Sequence, residues 1–142
     1  MKTDVSAVKK ALVDAGVEIY RTRNEEIQVA ERVRLHIMDS GIRISFVDGA
    51  RVVFVARSQR SDFPNEAPDD LFARVRTKIG DEAGQRGYTE SRAATTEVKD
   101  PVDPQKILDV WHEVTYAKPV DDVEALVDEV RWALSIEKYV GR

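Results

Sequence analysis

The sequence predicts an α+β fold: an antiparallel sheet of about five strands in the order α-β-β-β-α-β-β-α, helices packed on one face, in a single domain of residues 1–142. Three observations predict it. Apolar residues recur every three or four positions in residues 5–15, 71–83 and 123–134, the period of a half-buried helix. From Ile27 to Ala56 they recur every second position, the period of a strand with one buried face. Turn residues, among them Asp48-Gly49, interrupt that alternation.

Each element follows in chain order. Residues 3–15 form the first helix, with Val5, Val8, Leu12 and Ala15 on its buried face. Thr3 is suited to cap its start, and Gly16 to end it in the left-handed conformation. VEIYR alternates as a short strand, and residues 22–26 form a polar turn around Asn24. Ile27, Val29, Val33, Leu35 and Ile37 share one parity, with Glu31 the exception. Ile42, Ile44 and Phe46 follow, then Val52, Phe54 and Ala56.

The stretch LHIMDSG places His36, Asp39 and Ser40 within five residues, the residue types of a hydrolase triad. A hairpin corner explains them better. Pairing Ile37 with Ile42, Leu35 with Ile44 and Val33 with Phe46 brings every apolar residue to one face, as a register must. Residues 38–41 are then the loop, and His36 points to water. A triad needs side chains that converge on a shared base, and no G-x-S-x-G elbow surrounds Ser40. At Asp48-Gly49 a two-residue loop would bury Arg51, Val53 and Val55. A three-residue loop with a left-handed glycine would bury Val52, Phe54 and Ala56, and is preferred because it leaves Arg51 and Arg57 in water.

Residues 58–69 form a polar loop with two prolines. A helix over residues 70–86 ends at Gly87, with Leu71, Val75, Ile79 and Ala83 as its core stripe and Phe72 alongside. Residues 88–98, rich in threonine, read as a strand, and residues 100–104, DPVDP, as a turn. Leu108, Val110, His112, Val114 and Tyr116 alternate as another strand, with a helix as the competing reading. Asp121 with Glu124 resembles a capping box. The last helix spans residues 122–140.

Hydrophobic residues are 42% and charged residues 34% of the chain, as in ordinary globular domains. There is no cysteine, which removes disulfides and thiolate chemistry and fits a cytoplasmic location. Residues 1–16 mix acids with lysines and hold no long apolar run, so they do not read as a signal peptide. No stretch approaches the length of a membrane span. The net charge of −4 argues against general nucleic-acid binding. It is unevenly spread: residues 21–60 carry eight arginines against five acids, while residues 61–142 carry 11 bases against 18 acids.

The meander IQVAERVRLHIMDSGIRISFVDGARVVFVA, the helix DDLFARVRTKIGDEAGQRG and the end WHEVTYAKPVDDVEALVDEVRWAL carry a resemblance. In topology, size and charge the chain resembles the type III secretion chaperone-like fold, which includes the YbjN-type bacterial sensory-regulator family. The resemblance implies a bacterial protein with no active site that dimerises and holds a partner polypeptide. The arginine-rich meander departs from that pattern, and no groove for a secreted partner is identifiable.

Four sets of residues invite function. His36 and His112 are the only histidines, and no H-x-x-x-H spacing exists, so neither a metal nor a cofactor is expected. His112, on the apolar parity of its strand, reads as a partly buried core histidine. Arg32, Arg34, Arg43, Arg51 and Arg57 share the outer face of the predicted meander. They make either a solvated face with cross-strand ion pairs or a surface for an anion or an acidic partner. On the last helix Trp132, Ile136 and Tyr139 lie opposite the core stripe, either buried within the domain or at a dimer or partner interface. Ala73, Thr77, Gly80 and Gly84 lie away from the core stripe of the middle helix, where close helix packing or a weak helix end explains the two glycines. The expected function is a non-enzymatic protein-binding adaptor acting as a homodimer. A regulatory domain binding an anionic small molecule or acidic partner through the arginines is the rival.

Overall fold

The computed structural model describes residues 4–142. It is α+β, with six antiparallel strands rather than about five and the order α-β-β-β-β-α-β-β-α. The strands are β1 (Ile19–Arg23), β2 (Glu26–Val33), β3 (His36–Ser45), β4 (Arg51–Gln59), β5 (Thr89–Lys99) and β6 (Ile107–Pro119). Their order in the sheet is β1-β2-β3-β4-β6-β5. The sixth strand is the VEIYR segment, whose alternation reads as a short strand but which the predicted order omits; it turns into β2 through Asn24, at φ 54°. By contact, the described residues form two compact units. One holds the residues up to Phe54 with Ala117–Ile136, the other Val55–Tyr116 with Glu137–Arg142.

In the first unit, α1 (Val5–Asp14) starts at Asp4, whose carboxylate accepts the Ala7 N–H at 2.8 Å. Thr3, the expected cap, lies outside the described residues. Gly16 takes φ 83° and ends the helix as its sequence position predicts. Val8 and Leu12 are buried. The core row Ile27–Ile44–Val52 crosses three strands, with Val29, Ile42 and Phe54 beside it, all fully buried. Six such side chains contribute roughly 1.5–3 kcal/mol each by leaving water. Ser45 pairs with Arg51, and Gly49 sits at φ 91°. This is the register that buries Val52 and Phe54 and keeps Arg51 off the core.

The first hairpin differs from the expected one. The turn lies at Arg34-Leu35, with Val33 opposite His36, and Arg34 adopts φ 59°. The pairings Ile37–Ile42 and Leu35–Ile44 do not form. Residues 38–41 belong to β3 and build a bulge. Gln28 faces Arg43 and Ala30 faces Asp39, so Val29 alone spans Ser40, Gly41 and Ile42. The buried Ser40 hydroxyl donates to the Val29 carbonyl at 2.6 Å and accepts from the Ile42 N–H at 3.1 Å. Asp39 accepts the Gly41 N–H at 2.9 Å, and Gly41 takes φ 79°. The residues that promise a turn thus stabilise an irregularity within a strand.

The last helix, α4 (Val123–Ser135), is capped by Asp122 rather than Asp121, and it stops at Ser135 rather than residue 140. Its buried face is Leu126, Val127, Val130 and Ala133. Glu129, also buried, takes a 2.7 Å ion pair from Lys118, and Arg131 donates to the Ala15 carbonyl at 2.6 Å.

In the second unit, α2 (Pro68–Val75) runs through a π turn at Arg76–Gly80 into α3 (Asp81–Gln85). The expected stripe Leu71, Val75, Ile79, Ala83 is buried. Steps of four overshoot an α-helical turn by about 40° each, so three steps drift by about 120°. One extra residue in a π turn takes up about 100° of that drift and returns the stripe to one face. Residues 89–99 and 107–119 are strands, which decides against a helix around Leu108. His112, Val114 and Tyr116 point inward. The C-terminal segment runs parallel to β4: Arg57 N–H donates to the Lys138 carbonyl at 2.9 Å, and Val140 N–H to the Arg57 carbonyl at 2.8 Å.

Gly80 has a defined neighbour. A Cβ there would lie 2.6 Å from the Tyr116 hydroxyl, whereas one at Gly84 would meet nothing within 4 Å. Gly80→Ala should lower stability by about 1–3 kcal/mol through overpacking. Gly84→Ala should raise it by about 0.5–1 kcal/mol through helix propensity. Urea unfolding of the two variants measures both, and equal shifts would contradict the Tyr116 contact.

Candidate functional site

The bulge shapes the most exposed apolar surface of the first unit. The register of β1 with β2 ends at Ile19–Val29, and that of β3 with β4 at Ile42–Phe54. Beyond those points β2 and β3 continue as each other's partners, through Glu31–Met38, Arg32–Ile37 and Val33–His36. This two-stranded arm carries Val33 at 45% exposure, Leu35 at 93%, Ile37 at 50% and Met38 at 49%. Their neighbours are polar or charged: Glu31, Arg32, Arg34, His36 and Asp39. Single exposed apolar side chains are ordinary, whereas here four fall within one short hairpin. The tip itself holds Arg34 in the left-handed region, at roughly 1–2 kcal/mol for a residue with a Cβ.

The triad residues do not converge. His36 is exposed on the arm, Asp39 is spent on the Gly41 amide, and the Ser40 hydroxyl is buried between two backbone groups. Ser40 is thus a buried structural hydroxyl within β3 and not a residue of an exposed turn.

The five arginines do not act as one face. Arg43 pairs with Glu26 at 2.8 Å, within a chain of contacts that runs from Arg21 through Gln28 to Glu26. Arg32 pairs with Glu18 and Arg34 stands in the turn. Arg51 donates to the Val47 carbonyl at 3.3 Å. In the second unit the Arg57 guanidinium lies 3.8 Å from the centre of the Trp111 ring. A groove of about 420 Å³ in the first unit contains Glu18, Arg32, Arg131 and Ser135. Both of its cations are already engaged, by Glu18 and by the Ala15 carbonyl.

Trp132, Ile136 and Tyr139 do not form a helical stripe, because α4 ends before Ile136. All three are half-buried. Trp132 meets Phe54 edge-on at 5.8 Å, and Tyr139, beside β4, donates to the Gln59 side chain at 3.3 Å. On the middle helix Ala73, Thr77 and Gly84 are exposed, while Gly80 turns toward Tyr116. The four therefore do not share one face, because the π turn rotates the helix between Thr77 and Gly84.

His112 is 2% exposed and meets Phe72 edge-on at 5.1 Å, with Nδ1 lacking a hydrogen-bond partner. Ser58, fully buried on the adjacent strand β4, likewise has a hydroxyl without a partner. Among the described residues no cluster of three or more His, Asp or Glu is placed to hold a metal, and no helix is long and apolar enough to cross a membrane. Comparison with protein-family models, with curated proteins and with solved structures finds no match for this chain.

Burial, and then the nearby Arg60 cation, hold the His112 pKa below its ordinary value, and Asp109 opposes them. The unfolded chain therefore binds this proton at a higher pH than the folded chain does. The stability at stake is complete above about pH 6.5 and is lost as the pH falls through that value toward the folded pKa. Urea unfolding between about pH 7.5 and about pH 5.5 should show this decline in the parent and a smaller one in His112→Gln. An equal decline in both would remove His112 as its source.

Proposed function

We propose that the chain is a non-enzymatic protein-binding module that grips a partner polypeptide with the β2–β3 arm. The observation that carries this reading is the set Val33, Leu35, Ile37 and Met38, four large apolar side chains left in water at the end of a well-packed sheet. Leu35 is almost wholly exposed and the other three about half exposed, so a partner that covered them would gain the transfer free energy of that remaining surface, out of roughly 1.5–3 kcal/mol for complete burial of such a side chain. The charged residues around them keep the arm soluble and give a contact its orientation. Ser40, the nucleophile a hydrolase would need here, is committed to the backbone, which supports a binding role over a catalytic one. The reading agrees with the partner-holding role that the chaperone-like resemblance implies, and the cysteine-free composition suits the cytosol.

Leu35→Asp combined with Met38→Asp should leave the unfolding free energy within about 0.5 kcal/mol of the parent, because both side chains project from the sheet. The same variant should lose the protein that the parent retains from an extract of its native host. Arg43→Gln should retain it. Equal retention by the parent and the arm variant would sink the reading.

A further inference from the structure

We propose that β5 is a self-pairing edge, through which two copies of this chain join antiparallel about a two-fold axis near Ala94. The inference is independent of the arm. β5 stands at one end of the strand order and is 11 residues long, with nine of them exposed and only Ala94 and Val98 half-buried. An edge strand presents a row of backbone donors and acceptors, and proteins ordinarily guard such rows by shortness, bulges, proline or charge. The opposite edge is guarded in these ways. β1 has five residues, its register with β2 breaks between Ile19 and Arg21, and Arg21 and Arg23 stand on it. β5 contains no proline, and its centre, Ala93-Ala94-Thr95-Thr96, carries no charge. The two threonines favour the extended backbone that pairing requires.

The charges favour a second copy over an unrelated strand. Glu90 and Arg92 precede the uncharged centre, and Glu97 and Lys99 follow it. Antiparallel pairing about Ala94 sets Arg92 opposite Thr96 of the copy, Glu90 opposite Val98 and Ser91 opposite Glu97. No two charges of like sign then face each other, and each end of the paired ribbon holds both signs. A two-fold axis makes the contact isologous and closed, so it stops at a dimer. Several β5 side chains are tied back to their own unit. Glu90 takes both nitrogens of a fork from Arg76, at 2.8 and 2.9 Å, and Thr96 donates to Glu113. Ser91 donates to the Thr115 carbonyl at 3.3 Å. These ties are made by side chains and fix the strand, which has a sheet neighbour, β6, on one side only.

The register makes a specific demand, because Ala94 faces its own copy. Ala94→Lys places two cations opposite each other, and Ala94→Glu two carboxylates. Sedimentation equilibrium of the parent at micromolar concentration should give twice the chain mass of 16.0 kDa. Each single variant, shown to be folded by circular dichroism, should dimerise about fivefold more weakly, and an equal mixture of the two should recover the parent's affinity. Amide hydrogen exchange of the unaltered chain supplies a test that needs no variant: protection at residues 92–97 should rise with protein concentration. A parent that stays monomeric at about 100 μM overturns the proposal. So does a dimer that ignores both Ala94 substitutions, or one whose exchange at residues 92–97 does not change with concentration.

Discussion

The Ser40 hydroxyl fixes the register on which the first unit depends. It bridges the carbonyl of Val29 and the amide of Ile42, and so closes a bulge in which one residue of β2 spans three of β3. On one side of this bridge the alternation directs Ile42 and Ile44 into the core. On the other side, Ile37 and Met38 remain in water. A short buried hydroxyl thus separates a strand that packs from a strand that projects.

Much of this architecture is legible in the sequence, and the misreadings have physical causes. Asp48-Gly49 prescribes a turn, and the requirement that Arg51 stay out of the core selects the observed register. The period of four in Leu71, Val75, Ile79 and Ala83 gives the helix but not the π turn at Arg76–Gly80 that keeps the stripe on one face. The hairpin at LHIMDSG is misplaced because two signals compete. Asp39, Ser40 and Gly41 have the chemistry of a turn, whereas Val33-Arg34-Leu35-His36 has none and still turns, with an arginine in the left-handed region. The parity test could not decide between them, since the pairing of Ile37 with Ile42 also gathers every apolar side chain on one face. The arm was hidden for that reason: the same residues that form it complete a plausible core on paper. The end of α4 was hidden differently, because no glycine or proline marks Ser135 and the chain leaves the helix to pair with β4.

The second unit buries polar groups at a cost that its neighbours only partly offset. His112 and Ser58 lie inside with atoms that lack partners, a condition worth roughly 1–3 kcal/mol per group. Near them Asp109 is better served. Burial alone would raise its pKa, but the Ser61 hydroxyl, the amides of Val110 and Ser61, and the Arg60 charge outweigh that and lower it. The Ser61 hydroxyl meets Asp109 at 2.6 Å. The unit therefore combines a satisfied carboxylate with unsatisfied buried groups, of which His112 lies against Phe72 of α2.

The parallel bridge between Arg57 and Tyr139 bears on the order in which the molecule assembles. Strands β1 to β4 follow one another through short turns, so their contacts close small loops and form early. The Tyr139 hydroxyl reaches Gln59 across 80 residues of sequence, and a loop of that length closes late. Attachment to β4 through one isolated bridge makes the C-terminal segment the natural first part to open in the native state. Its departure would return the backbone groups of Arg57 to water while the rest of β4 kept its partners.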